Sequence, residues 1–352
     1  MRTRNSVLIT SLVAGLVLTG CSSSDSETPP ETTPSSAATT PAAEPGQAEA
    51  PTVPPVGTVV PIGNAPEGIV IGTSGIGAVS VREPDGIELF DATTGAVRQT
   101  VPTEGSARHL SLAGPDGPVL VPLEQSDEFS QLSLADGSVT STASMVGRQP
   151  HDAVRTSDGT IVVTNEMGGG VVFIRDGKVA SELPAGPVQP GGLAAVGQYA
   201  AVADVQGNGV WVYDGTTMQQ VAQAPVGQKL THALTLTGDL AAFADTDGGA
   251  VLIERIGPQI TDVARVDAPG NPYGMAFDAQ RNLMYITLTA SNILRVVDLS
   301  NPEQPRTVGD VPTVQQPNSV AVDPRTGGVV VTGSDPDGSS SLQIVTPDLL
   351  PR

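Results

Sequence analysis

The sequence holds one cysteine in 352 residues, one tryptophan, and aromatic side chains at only 3%. A single thiol rules out a disulfide within the chain, so whatever folds must be held by packing alone. Basic residues are also scarce. Seventeen Lys and Arg stand against 37 Asp and Glu, a net charge of −20. Such a surface repels a polyanion, which excludes non-specific nucleic-acid binding by the molecule as a whole. The apolar segment at residues 7–18 is too short to span a bilayer comfortably. No G-x-S-x-G elbow, H-E-x-x-H pair, phosphate-cradling loop or C-x-x-C occurs.

What is abundant is turn chemistry. Forty Gly and 31 Pro make up about a fifth of the length. This suits an all-β fold rich in turns, with a core of Val, Ala, Leu and Ile. The stretch 270–300 shows the unit. Pro272 and Gly274 punctuate a turn, Met275 to Phe277 is a short apolar run, and 278–282 is turn-like. Leu283 to Thr287 and Ile293 to Val297 are β-branched or aromatic runs, and a fourth follows at about 306–311. Each run is too short and too poor in helix formers for a helix.

The Pro-centred junction recurs as VVPIGNAPEG, TVPTEGSARH, ASMVGRQPHD, LPAGPVQPGG, QAPVGQKLTH, RVDAPGNPYG and DVPTVQQPNS. One position can be followed through all seven: Glu67, Arg108, His151, Gly191, His232, Tyr273 and Asn318, at spacings of 41, 43, 40, 41, 41 and 45. A period near 40 with about four short strands per unit predicts an all-β, seven-bladed β-propeller. A lone four-stranded sheet cannot cover both faces, whereas seven packed around an axis can. Near-continuous apolar strands such as residues 171–174 fit blades buried on both sides. One tryptophan argues against the WD40 and quinoprotein dehydrogenase forms, which lean on repeated Trp. The last unit holds only three strands before the chain ends, and an unpaired strand, residues 57–63, is left over at the start. Pairing that N-terminal strand onto the last blade would close the ring and remove an open edge. Six or eight blades would follow only if the weakly patterned second unit, 108–146, were read otherwise.

Several residues carry resemblances. Arg2 and Arg4, the apolar segment, and Leu18-Thr19-Gly20-Cys21 together resemble a bacterial lipoprotein signal. The resemblance implies cleavage before Cys21 and a lipid on its sulfur. It also implies residence at the outer leaflet of the bacterial cytoplasmic membrane. Removing residues 1–20 takes away two Arg and no acid, leaving 15 basic against 37 acidic residues, a net −22. Residues 22–55 are Ser, Thr, Pro, Ala and Glu without an aromatic or basic residue, a composition that cannot order itself. Pro272-x-Gly274-x-x-x-Asp278, then Tyr285-Ile286-Thr287 and Asn292-x-x-x-Val296-x-Asp298, resemble the YVTN repeat of extracytoplasmic propellers. The lipid signal, Thr289 to Asn292 and Pro312 to Ser319 are similar to LppL-type lipoproteins of mycobacteria and their relatives. That implies a surface-anchored propeller and no particular reaction. The expected organisation is a signal peptide at 1–20, lipidated Cys21 with a disordered tether to 56, a propeller at 57–347 and a tail at 348–352.

Propellers bind ligands at the axial funnel, on the face that carries the blade junctions. All three histidines, His109, His151 and His232, fall at junctions, and Asp152 follows His151. Strand ends next in line are Glu124, Asn165, Asp204 and Asp245. Imidazoles and carboxylates converging on an axis could hold a divalent metal or act as acid and base in a lyase or lactonase. The same residues, with Glu67, Arg108, Tyr273 and Asn318, also suit a funnel for a small polar ligand. No cofactor is otherwise indicated. The composition and the tether favour a monomeric, non-enzymatic binding or scaffold protein with a protein or envelope partner, and a funnel enzyme stands as the alternative. Acidic loops such as Asp245-Thr-Asp-Gly and Asp335-Pro-Asp-Gly lack the further ligands of a calcium loop and read as solvated turns.

Overall fold

The computed structural model describes residues 45–351. The expected signal peptide, Cys21 and the tether as far as residue 44 lie outside the described residues.

Seven four-stranded antiparallel sheets follow one another around an axis. Blades one to six are built from consecutive strands within residues 69–102, 111–144, 150–183, 190–225, 230–267 and 272–312. Blade seven has Val320–Val322, Val329–Ser334 and Ser340–Val345, and its outer strand is Thr58–Pro61 from the start of the described chain. The register runs from Thr58 opposite Ile344 to Pro61 opposite Ser341. The ring therefore closes as the strand count requires, with β pairing in place of an exposed edge. Val60 and Ile62 carry that closure into the packing between blades seven and one.

The core lies between the blades. Each of the seven blade-to-blade interfaces has its own buried apolar cluster. Val, Ala, Leu and Ile fill most of it, which matches the composition. Blades one to six each bury one large aromatic ring completely: Phe90, Phe129, Phe173, Tyr213, Phe243 and Tyr285. At about 25 cal/mol per Å2 of apolar surface, each fully buried ring contributes roughly 3 kcal/mol. These rings are shared unevenly: Phe173 and Tyr213 both fill the interface of blades three and four, while the clusters between blades one and two and between five and six hold none of them.

Two chain ends pack differently from the composition-based expectation. Residues 46–56, assigned by composition to the tether, lie against blades six and seven. Gly46 N–H donates to Thr289 Oγ1 at 2.9 Å, Asn292 Nδ2 to Glu49 O at 2.8 Å, and Gln315 Nε2 to Ala48 O at 2.8 Å. Low hydrophobicity removes the reason for a segment to form its own core, but leaves its backbone carbonyls available to amides on a neighbouring surface. In the C-terminal tail, Leu350 is buried against blades six and seven.

Candidate functional site

Each inner strand carries its junction residues to the axis, and the pairing fixes their layers. In blade four Pro190 pairs with Asp204 and Leu193 with Val202, while in blade five Leu230 pairs with Asp245 and Ala233 with Phe243. Asp204 and Asp245 end equivalent strands, so Thr231, not His232, matches Gly191. One layer is therefore Glu67, Arg108, His151, Gly191, Thr231, Tyr273 and Asn318. The next layer down the axis is Gly68, His109, Asp152, Gly192, His232, Gly274 and Ser319. Aligning junctions by similarity of their letters displaces His232 by one residue, because only the ladder sets register. The glycines of the second layer let inner strands approach closely. A Cβ on Gly68, Gly192 or Gly274 would lie 2.5 Å from Leu110 N, Ala233 N or Asn318 O of the next blade.

The three histidines, from blades two, three and five, meet at the axis. His109 lies edge-on to His151 with ring centroids 4.5 Å apart and tilts over His232 at 4.3 Å. His232 meets Tyr273 of blade six at 4.2 Å. Above this stack sits a buried ionic network. His151 Nδ1 lies 3.2 Å from both Glu124 Oε1 and Glu166 Oε2. Arg108 Nε donates to Glu124 at 3.2 Å, and its Nη1 lies 3.8 Å from Glu67. Arg82 Nη2 bridges Glu67 at 2.6 Å and Glu124 at 3.3 Å. Gln149 and Gln189 amides donate to Glu166 at 2.9 and 3.3 Å.

Among the described residues three carboxylates thus face two guanidiniums, and a proton on His151 balances them. Burial pulls the His151 imidazole down, but Glu166 and Glu124 outweigh it and push its pKa up to about 10. Burial raises Glu124, yet His151, Arg108 and Arg82 hold it down at about 2. Glu166 is likewise lowered by His151 against the effect of burial. His232 moves the other way. Burial, and after it the neighbouring His109, His151 and Arg108, hold it well below 6.5, so it is neutral, and its Nδ1 is buried without a partner.

The remaining expected residues have structural work. Asp152 Oδ2 accepts from Leu193 N–H at 2.7 Å and lies 3.2 Å from His109 Nδ1, tying blades two, three and four together. Asn165 Oδ1 accepts from Arg148 N–H at 2.6 Å. Asp204 accepts from the backbone of Val188, Gln189 and Gly207, and Asp245 from Gln228, Lys229 and Gly248, at 2.9 to 3.1 Å. These three side chains cap the junction turns and do not reach the histidines. Asp245, in its Asp-Thr-Asp-Gly loop, is a turn cap as expected of a turn residue, but it is buried, where the sequence reads the loop as solvated. Asn318 stands in the inner layer with its N–H on Thr332 O at 3.1 Å. Glu166, Arg82, Gln149 and Gln189 were missed by sequence reasoning. A signal for Glu166 existed: it stands 42 residues after Glu124, one blade period.

Among the described residues, Glu124, His151 and Glu166 form the one trio able to hold a metal ion, with ligand atoms within 4.8 Å of one another. A His and two Glu suit zinc or manganese. A divalent ion on neutral His151 would leave the network at +1, whereas a proton brings it to zero, so the proton is the better fit.

No protein-family model and no curated protein sequence matches the chain. Solved structures do. A chain of Kuenenia stuttgartiensis hydrazine synthase is 17% identical, with 84% of this chain and 99% of that one covered at a TM-score of 0.66. Virginiamycin B lyase from Staphylococcus aureus is 13% identical, with 82% and 99% covered at 0.66. The Myceliophteria thermophila Cps50 (Swd1) β-propeller domain is 12% identical, with 82% and 98% covered at 0.67. The protein is a seven-bladed β-propeller. Likeness at these identities shows the fold alone, and propellers carry many unrelated functions.

Proposed function

We propose that this propeller is a lipid-anchored binding or scaffold module held outside the cytoplasmic membrane as a monomer. Cys21 carries the lipid, the Pro- and Ser-rich segment after it is the spacer, and the rigid ring presents a face to a protein or envelope component. The observation that carries this reading is the axial network. Its acid and base groups are buried or half-buried, paired with one another and, among the described residues, balanced in charge, which makes them a hub that stiffens the ring. A general base needs a pKa near the working pH; His151 at about 10 and Glu124 at about 2 lie far from it. The test is membrane fractionation of wild type and Cys21→Ser, combined with cross-linking in cells and mass spectrometry. The reading expects wild type in the membrane fraction, Cys21→Ser released, and one partner enriched in proportion to the wild type. Membrane retention of Cys21→Ser, or no enriched partner, contradicts it.

The trio of Glu124, His151 and Glu166 supports a second reading, a metal-binding protein. The metal would be held by those three side chains and would supply a Lewis acid at the axis. Metal analysis of untagged protein separates the two readings. Stoichiometric metal, with a melting shift on added Zn²⁺, Mg²⁺ or Ca²⁺ that is abolished by His151→Ala, favours the second.

A further inference from the structure

The axis is closed at the junction end and hollow beyond it. A channel of about 400 Å3 is lined by inner-strand residues from the His109 layer onward: 68–71, 109–112, 232–235, 274–277 and 319–322, with Asp152, Val154 and Leu193. Nothing from the Glu67–His151–Tyr273 layer lines it. Its blind end is therefore the layer of His109, Asp152 and His232, and its mouth lies where the inner strands end, beside exposed Thr235. That mouth is on the face opposite the junctions, away from the docked residues 46–56. About half of the lining surface is apolar, set by Val70, Leu112, Leu234, Met275, Phe277 and Val322, and the rest is polar, with Ser111, Thr235 and Ser319 among it. The volume falls within the range of small-molecule pockets, ~300–1,000 Å3.

The blind end is polar in a specific way. His109 Nδ1 faces the Asp152 carboxylate, so in the neutral ring Nε2 is left as an acceptor. Both Asp152 oxygens already take backbone N–H groups, from Ala153 and Leu193, each at 2.7 Å. His232 lines the same end; its Nδ1 is buried out of reach of the cavity, which leaves Nε2 as the nitrogen that can face it. A neutral imidazole carries one N–H and one lone pair, so with the His232 proton on Nε2 this end offers both an acceptor and a donor.

We infer that the channel is a binding site for a small uncharged amphiphile, with a hydroxyl at the His109–His232 end and a hydrocarbon body against the apolar side chains of the wall. A hydroxyl both donates and accepts, and so it pairs with both imidazoles when His232 carries its proton on Nε2, donating to His109 and accepting from His232. A carboxylate would be repelled by Asp152. An ammonium has no acceptor for an imidazole N–H, and would lose its hydration where both Asp152 oxygens are taken. This site is separate from the junction face and does not depend on the partner proposed above.

Calorimetric titration of the purified propeller with 4-propylphenol, 4-propylbenzoate and propylbenzene tests it. The phenol binds saturably at one per chain, and the benzoate about tenfold or more weaker, the equivalent of one lost hydrogen bond. Thr235→Trp, a change at an exposed position of the mouth that also gives up the hydrogen bond from Thr235 Oγ1 to Ala195 O, abolishes binding of the phenol while lowering Tm by at most about 4 °C. His232→Leu lowers the affinity for the phenol to that for propylbenzene. Absence of saturable phenol binding, equal binding of phenol and benzoate, or full binding by Thr235→Trp would each overturn the inference. Should His232→Leu fail to fold, the ligand series and Thr235→Trp still decide.

Discussion

Replacing His151 by Gln keeps the shape and a donor but removes the charge, leaving Glu67, Glu124 and Glu166 facing Arg82 and Arg108. The His151 pKa is raised from 6.5 to about 10 in the folded protein. At ~1.4 kcal/mol per unit, that displacement corresponds to at most about 5 kcal/mol. Relaxation and water entry reduce it, and removal of one partner from a buried ion pair ordinarily costs about 3–5 kcal/mol, so about 3 kcal/mol is expected. For a domain of this size each kcal/mol moves Tm by roughly 2–4 °C, which gives a fall of about 6–12 °C. The sign with pH follows from the raised value. The stabilisation is fully present below 6.5 and is lost as pH rises through about 10. Glu124 acts oppositely: its contribution is present above 4.5 and is lost as pH falls toward about 2. Denaturant unfolding of wild type and His151→Gln at pH 6, 8 and 9.5 should therefore show the largest gap at pH 6 and a gap below about 1 kcal/mol at pH 9.5. Adding Glu166→Gln to the variant should recover part of the loss, because it restores the charge balance. A gap under about 1 kcal/mol at pH 6, or one that does not change with pH, refutes the reasoning.

Two other outcomes follow from the fold. Deleting residues 45–63 removes the outer strand of blade seven and exposes the edge of Ser340–Val345, so the truncated protein should aggregate in light-scattering assays, whereas deletion through residue 44 should not. Glu254→Gln should stabilise the protein. Burial and then the nearby Asp262 raise the Glu254 carboxyl to about 8, so ionising it works against folding progressively from pH 4.5 to about 8. The amide removes that penalty, worth about 2 kcal/mol at pH 8 and less at pH 5, as measured by denaturant midpoints.

The ring was legible in the sequence because its cause is local and repeated. Short β-branched runs bounded by Gly, Pro and Asx at a near-constant period can form little else, and the leftover strand at 57–63 had only one edge to join. The axis was legible in part. The histidines stood out by type and place, but their convergence depends on ring geometry that no spacing displays. His232 fell one layer away from its apparent equivalents, because a junction can absorb one residue without changing its letters much. Glu166 was passed over for Asn165, its neighbour, since the strand end alone does not say which of two polar residues turns to the axis. Residues 46–56 packed although their composition gave no reason to, because docking used carbonyls that every residue has.

The central claim is that a proton on His151, and not a metal, completes the charge at the hub. Nitrogen NMR of the imidazole in ¹⁵N-His-labelled protein, followed from pH 5 to 9, reads this directly. Both ring nitrogens of His151 should remain protonated over the whole range, and added Zn²⁺ should leave them unchanged. Titration of His151 near its ordinary 6.5, or loss of the Nδ1 proton on adding zinc, would contradict the account.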